Sequence, residues 1–130
     1  MSESKTPEHS VISIVDDDFS VRRSTRRLLR CSGFRTEAFA SAEEFLDSEW
    51  AQETACLILD LRMPGMNGLE LQRRLSRNGD RVPIIFLSAQ ASEEDERSAL
   101  AAGAVRFLRK PISKEALLSA IRDALKRSII

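Results

Sequence analysis

Five short apolar runs alternate along this chain with five amphipathic segments, and this alternation restricts the fold more than any other feature. The predicted strands cover residues 11–15, 34–39, 55–59, 83–87 and 105–108. The predicted helices cover residues 19–32, 41–49, 66–77 and 92–103, and a last helix follows Ser113. Strands that are apolar almost throughout are typical of a parallel sheet that is covered on both faces.

The alternation predicts an α/β fold of the doubly wound, flavodoxin-like type. Right-handed crossovers lead to a five-stranded parallel sheet of order 2-1-3-4-5 with five helices. The 130 residues form one domain, expected over residues 11–127. Residues 1–10 are polar and are expected to be a flexible tail, and residues 128–130 end the domain or begin a linker.

The composition excludes several functional classes. Lys and Arg together number 20, as do Asp and Glu, so the net charge of zero argues against a free-standing nucleic-acid binder. No apolar stretch approaches a membrane span and no signal peptide begins the chain, so we expect a cytoplasmic protein without a membrane partner. His9, the single histidine, lies in the tail, which excludes histidine-based catalysis.

Three carboxylates are predicted to meet at one edge of the sheet. Asp16 and Asp17 follow the first strand and Asp60 follows the third, and these two strands are neighbours in the predicted order. Carboxylates this close raise each other's pKa values unless a cation lies between them. An all-oxygen set of ligands suits Mg²⁺, with Mn²⁺ as an alternative. Asp18 is interpreted as the cap of the first helix.

A lysine and a hydroxyl group are predicted at the same edge. Lys110 follows the fifth strand and precedes Pro111, across a bond that could be cis, and Ser88 follows the fourth strand. No histidine base accompanies Ser88, so a serine nucleophile is not expected. The set suits transfer of a phosphoryl group to the carboxylate of Asp60, with the metal and Lys110 neutralising the phosphoryl oxygens.

From residue 11 to about residue 126, the chain resembles the receiver domain of bacterial two-component response regulators. The segments 41–46, 59–68 and 102–105 are similar to receivers that precede LuxR-type helix-turn-helix output domains. The residues that carry the resemblance are the acid pair Asp16 and Asp17, the phosphoacceptor Asp60, the switch hydroxyl Ser88, the switch aromatic Phe107 and the Lys110-Pro111 signature.

The resemblance implies a mechanism for this site. Asp60 would accept a phosphoryl group from a sensor histidine kinase or a small phosphodonor. Asp17, Asp60 and the backbone carbonyl of Arg62 would hold Mg²⁺, with Asp16 acting through water. Lys110 and Ser88 would contact the phosphoryl oxygens.

The resemblance also implies a switch. Movement of Ser88 would couple to rotation of Phe107 and change the surface of the fourth helix, fifth strand and fifth helix. Such a receiver is a signalling switch that catalyses its own phosphorylation and dephosphorylation, not a metabolic enzyme, and it could form a homodimer when phosphorylated.

The sequence is compatible with two kinds of output. The output is either transcription, through a DNA-binding effector domain that these residues do not include, or protein contacts and phosphate relay by a stand-alone receiver. Two other functional classes, an aspartate-based phosphatase and a flavin-binding protein, are disfavoured. A phosphatase of this kind would carry an acid where Arg62 stands, and Asp16 and Asp17 would repel the phosphate of a flavin.

Five arginines lie on the first predicted helix. They indicate a solvated face or, less simply, a kinase-docking surface: Arg22, Arg23, Arg26, Arg27 and Arg30.

Overall fold

The computed structural model describes residues 10–129 and confirms the predicted sheet. Five parallel strands lie in the order 2-1-3-4-5. They are β1 (Val11–Val15), β2 (Arg35–Phe39), β3 (Thr54–Asp60), β4 (Ile84–Ser88) and β5 (Arg106–Arg109). Residues 1–9 of the predicted tail lie outside the described residues, and Ser10 is buried.

Five α-helices connect or follow the strands, as predicted. They are α1 (Phe19–Cys31), α2 (Ala42–Asp47), α3 (Gly68–Arg77), α4 (Glu93–Ala101) and α5 (Lys114–Ile129). The second predicted helix is shorter than expected, because a 3-10 helix at Glu49–Gln52 replaces its end. The third begins at Gly68 rather than at Met66, because Asn67 caps it in a capping box with Glu70.

The core consists of two apolar layers, one on each face of the sheet. Alternate residues of β3 enter opposite layers, which explains why the strand is apolar without alternation. Cys56 and Ile58 pack in the layer that α1 and α5 cover, and Leu57 and Leu59 pack in the layer of α2, α3 and α4. All four side chains are buried.

The register of the strands brings their polar ends to one edge. Val15 of β1 lies beside Leu59 of β3, so Asp16 and Asp60 follow at adjacent positions. Ser88 ends β4 beside Arg109, the residue before Lys110. In the part of the chain that the structure describes, no helix is both long enough and apolar enough to cross a membrane.

Candidate functional site

Asp16, Asp17 and Asp60 meet at the carboxyl edge of the sheet, as predicted. Each offers a carboxylate oxygen, and these three oxygens all lie within 4.8 Å of one another. Asp16 and Asp60 are buried, whereas Asp17 is exposed. Mg²⁺ prefers carboxylate, carbonyl and water oxygens, so this set of donors fits the predicted ion.

Asp16 is held in place by four hydrogen bonds, one of which its backbone N–H donates to the Phe39 carbonyl at 3.1 Å. Its Oδ1 accepts from the Asp18 backbone N–H at 2.9 Å, and its Oδ2 accepts from Lys110 Nζ at 2.9 Å. Its backbone carbonyl accepts from Arg22 Nη1 at 2.8 Å. Both carboxylate oxygens of Asp16 therefore already accept a hydrogen bond from the protein.

Asp18 has the different role that the sequence predicted. Its Oδ1 accepts hydrogen bonds from the backbone N–H groups of Ser20, at 2.8 Å, and Val21, at 3.2 Å. These bonds satisfy two of the unpaired donors at the start of α1. Asp16 and Asp17 therefore belong to the acidic pocket, and Asp18 caps α1.

The surroundings of Asp60 make its negative charge costly. The pKa of this carboxyl group is raised from 3.8 to about 7, first by burial and then by the negative charges of Asp16 and Asp17. The ammonium of Lys110, whose Nζ lies 3.8 Å from Asp60 Oδ1, lowers the pKa in part, as does the Arg62 backbone N–H. A divalent cation would supply the positive charge that the ionised carboxylates need.

Ser88 lies beside this pocket, with its hydroxyl group directed toward the loop that precedes α4. The residue is fully buried, and its Oγ donates to the backbone carbonyl of Gln90 at 3.2 Å. Its own carbonyl accepts from the Lys110 N–H at 2.9 Å, and the Lys110-Pro111 bond is cis. Backbone hydrogen bonding thus joins the ends of β4 and β5 at the edge of the pocket.

Phe107, the predicted switch aromatic, is partly buried on β5. Its ring stacks on that of Phe86, with 5.7 Å between the ring centroids and an interplanar angle of 28°. The guanidinium of Arg109 lies 5.6 Å from the centroid of the Phe107 ring. The ring therefore lies between Phe86 of the core and the guanidinium of Arg109.

The sequence of residues 12–122 matches the family model of the response regulator receiver domain. The chain belongs to this family. Receivers of the family bind Mg²⁺ at an acidic cluster, and Asp16, Asp17 and Asp60 are grouped as such a cluster here.

Individual relatives agree with the family model. Response regulator protein TmoT of Ectopseudomonas mendocina is 45% identical over 119 residues, which are 92% of this chain and 54% of that protein. Transcriptional regulatory protein FixJ of Azorhizobium caulinodans is 35% identical over 122 residues, 94% of this chain and 58% of that protein. The structure of response regulator StyR matches with a TM-score of 0.85 at 43% identity, covering 92% of this chain and 60% of that one. This receiver spans about half the length of the curated relatives it matches.

Two further residues, Gly68 and Glu43, shape the receiver site, although neither is among the site residues predicted from the sequence. A Cβ atom at Gly68 would lie 2.5 Å from the backbone oxygen of Asp60 and 3.0 Å from Leu61 Cα, so α3 begins where only glycine fits. Glu43 of α2 accepts from the Met66 N–H at 3.0 Å and so fixes the loop after Asp60. The Asn67-Gly68 pair is a turn signal that the sequence displays. No sequence pattern indicates that Glu43 binds Met66, because the two residues are 23 positions apart.

Proposed function

We propose that this receiver is a phosphorylation-activated switch in which Asp60 accepts a phosphoryl group from the phosphohistidine of a sensor histidine kinase. An Asp60 oxygen would attack phosphorus, the bond from phosphorus to the histidine nitrogen would break, and an aspartyl phosphate would form. The observation that carries this proposal is a buried carboxylate with a lysine ammonium 3.8 Å away, grouped with two other acids.

Lys110 and a bound Mg²⁺ would both stabilise the negative charge of the phosphoryl group and of the acids around Asp60. Lys110 holds one positive charge between Asp16 and Asp60, where the phosphoryl oxygens would arrive. Asp17, Asp60 and the carbonyl of Arg62 would hold Mg²⁺, with Asp16 acting through water. When bound, the ion supplies the positive charge that a phosphoryl group needs beside three acids.

The proposed switch begins at Ser88. Its hydroxyl would leave the Gln90 carbonyl and donate to a phosphoryl oxygen on Asp60 instead. Phe107 would then turn inward, and the surface of α4, β5 and α5 would change. The aspartyl phosphate acts only as far as it binds the active arrangement better than the resting one.

The proposed output is transcription in the cytoplasm. Relatives that this chain matches over about half their length carry the names of transcriptional regulators, FixJ among them. In this proposal, contact with DNA belongs to a region outside these 130 residues. Phosphorylation would favour a homodimer through α4, β5 and α5.

The test is intact mass after incubation with Mg²⁺ and a small phosphodonor. The unaltered receiver and the control Asp18→Asn, which keeps a capping side chain, should each gain one phosphoryl mass. Asp60→Asn should gain none. If the unaltered receiver gains no mass with several donors and with candidate kinases, the proposed function is wrong.

A further inference from the structure

Helix α4 is anchored by fewer buried side chains than its neighbour α3. Among the nine residues of α4, Ala99 alone is buried, whereas α3 buries Gly68, Leu71, Gln72 and Leu75. Elements with few buried contacts are those that move at a low cost in free energy. The polar contacts of α4 therefore have a large share in deciding where its first turn lies.

The first of these contacts comes from the loop after the phosphoacceptor. Arg62 Nη2 lies 2.6 Å from Asp95 Oδ2, and Arg62 Nε contacts the backbone oxygen of Gln90 at 3.5 Å. Asp95 also accepts from the N–H of Ser92, in the capping box of α4. Hydrogen bonds with the backbone and side chain of Ser92, and after them the charges of Arg62 and Arg109, hold the pKa of Asp95 below its usual range.

The second contact comes from the end of β5. Arg109 Nη2 donates to Glu96 Oε1 at 2.9 Å, and Arg109 Nη1 donates to the backbone oxygen of Ala91 at 2.8 Å. The same guanidinium lies against the ring of Phe107. Arg109 therefore touches both the switch aromatic and the first turn of α4.

The two arginines repeat one pattern. Each binds one carbonyl of the loop before α4 and one carboxylate in its first turn, and they approach from the ends of β3 and β5. The carbonyl of Gln90, which Arg62 contacts, is also the acceptor of the Ser88 hydroxyl. A movement that turned this hydroxyl toward Asp60 would change the surroundings of the carbonyl that Arg62 contacts, one residue before the Ala91 carbonyl that Arg109 binds.

We propose that Arg62 and Arg109 form a double clamp that holds α4 and the loop before it in the resting arrangement, and that phosphorylation of Asp60 must loosen it. The second half of this proposal rests on the proposed function. The first half concerns the unphosphorylated receiver alone.

The strength of the clamp suits a switch. The side chains are partly exposed, 60% for Arg62 with 19% for Asp95, and 44% for Arg109 with 36% for Glu96. Ion pairs with such exposure stabilise modestly, so losing both should shift the equilibrium roughly twofold to tenfold. A shift of this size favours the resting arrangement, and the formation of an aspartyl phosphate can reverse it.

The experiment compares two double variants with the same loss of charge. Asp95→Asn/Glu96→Gln removes both carboxylates of the clamp, while the new asparagine side chain keeps an oxygen that can accept the Ser92 N–H. The control Glu93→Gln/Glu94→Gln removes two exposed charges from the same turn. Neither Glu93 nor Glu94 forms an ion pair with the residues that the structure describes.

Two readouts decide the proposal. In the unphosphorylated receiver, the amides of residues 92–101 should exchange hydrogen faster in the clamp variant than in the control. The initial rate of phosphorylation by a small phosphodonor should rise roughly twofold to tenfold in the clamp variant. Equal exchange in the two variants would overturn the clamp, and faster exchange without a faster rate would overturn its regulatory role. If the receiver is never phosphorylated, the proposed function is wrong. The comparison of hydrogen exchange does not need phosphorylation, so it still tests whether the clamp exists.

Discussion

Lys110 lies closer to Asp16 than to the phosphoacceptor, with its Nζ 2.9 Å from Asp16 Oδ2 and 3.8 Å from Asp60 Oδ1. The lysine charge is therefore shared between two buried carboxylates. Burial and the negative charge of Asp16 outweigh the lysine, so the pKa of Asp60 is raised to about 7 although a cation lies beside it. A pocket with three acids and one nearby lysine is prepared for a further positive charge.

Lys110→Met should raise the pKa of Asp60 above about 7 in the absence of divalent cations, because the lysine lowers that pKa. Titration of the Asp60 carboxyl carbon by NMR measures the change. Lys114→Met, which removes an exposed lysine at the start of α5, is the control and should leave the midpoint unchanged. An unchanged or lower midpoint in Lys110→Met would show that the lysine does not stabilise the ionised Asp60.

Asp60→Asn should stabilise the metal-free receiver at high pH. The pKa of Asp60 is raised on folding, so the folded state binds the proton more tightly than the unfolded chain does. This contribution to stability is full below about pH 4 and is lost as the pH rises to about 7 and beyond. Asparagine does not ionise, so the melting temperature of the variant should exceed that of the unaltered receiver by a few degrees at pH 8.

The pH dependence separates this effect from a general change in packing. The difference in melting temperature should shrink as the pH falls toward 4, and saturating Mg²⁺ at pH 8 should stabilise the unaltered receiver more than Asp60→Asn. A difference that stays constant between pH 4 and pH 8 would mean that the ionisation of Asp60 has no part in it.

Asp17 and Asp18 are adjacent acids with separate predicted effects. Asp17→Ala should weaken Mg²⁺ binding by about tenfold or more, with little change in the free energy of unfolding. Asp18→Ala should lower the free energy of unfolding by about 1 kcal/mol, because α1 loses its cap, and should leave Mg²⁺ binding nearly intact. Calorimetric titration with Mg²⁺ and urea unfolding measure the two quantities. Equal effects of the two variants on Mg²⁺ affinity would contradict the assignment.

Gly68→Ala should destabilise the receiver, although alanine normally favours a helix over glycine by about 0.5–1 kcal/mol. The new methyl group would lie 2.5 Å from the backbone oxygen of Asp60 and would push α3 away from β3. We expect a loss of about 1–3 kcal/mol in the free energy of unfolding. Ser76→Ala, at an exposed position of the same helix, is the control and should cause little change. Urea unfolding of a Gly68→Ala variant as stable as the control would show that the close approach is absent.

The sequence was enough to predict the fold and the grouping of the acids. Strand order follows from right-handed crossovers, and the carboxyl ends of parallel strands share one edge, so the positions of Asp16, Asp60 and Ser88 followed from their places at strand ends. No similar rule connects a loop residue to a distant helix. Arg62 and Asp95 are 33 positions apart, and their pairing depends on how two loops pack.

The ends of helices are also difficult to predict from the sequence alone. The apolar spacing that predicts α3 continues through Met66, whereas the capping box of Asn67 places the start of the helix at Gly68. Glycine is needed at position 68 because α3 begins close to the backbone at the end of β3. The sequence around residue 68 does not indicate this short distance.

The central claim is that Asp60 itself becomes phosphorylated when Mg²⁺ is present. The most direct measurement is borohydride reduction of the phosphorylated receiver, which converts an aspartyl phosphate to homoserine, followed by peptide mapping. Our account predicts homoserine at position 60, and none when Mg²⁺ is removed by a chelator. Homoserine at another aspartate, or a phosphorylated receiver with an unmodified Asp60, would contradict it.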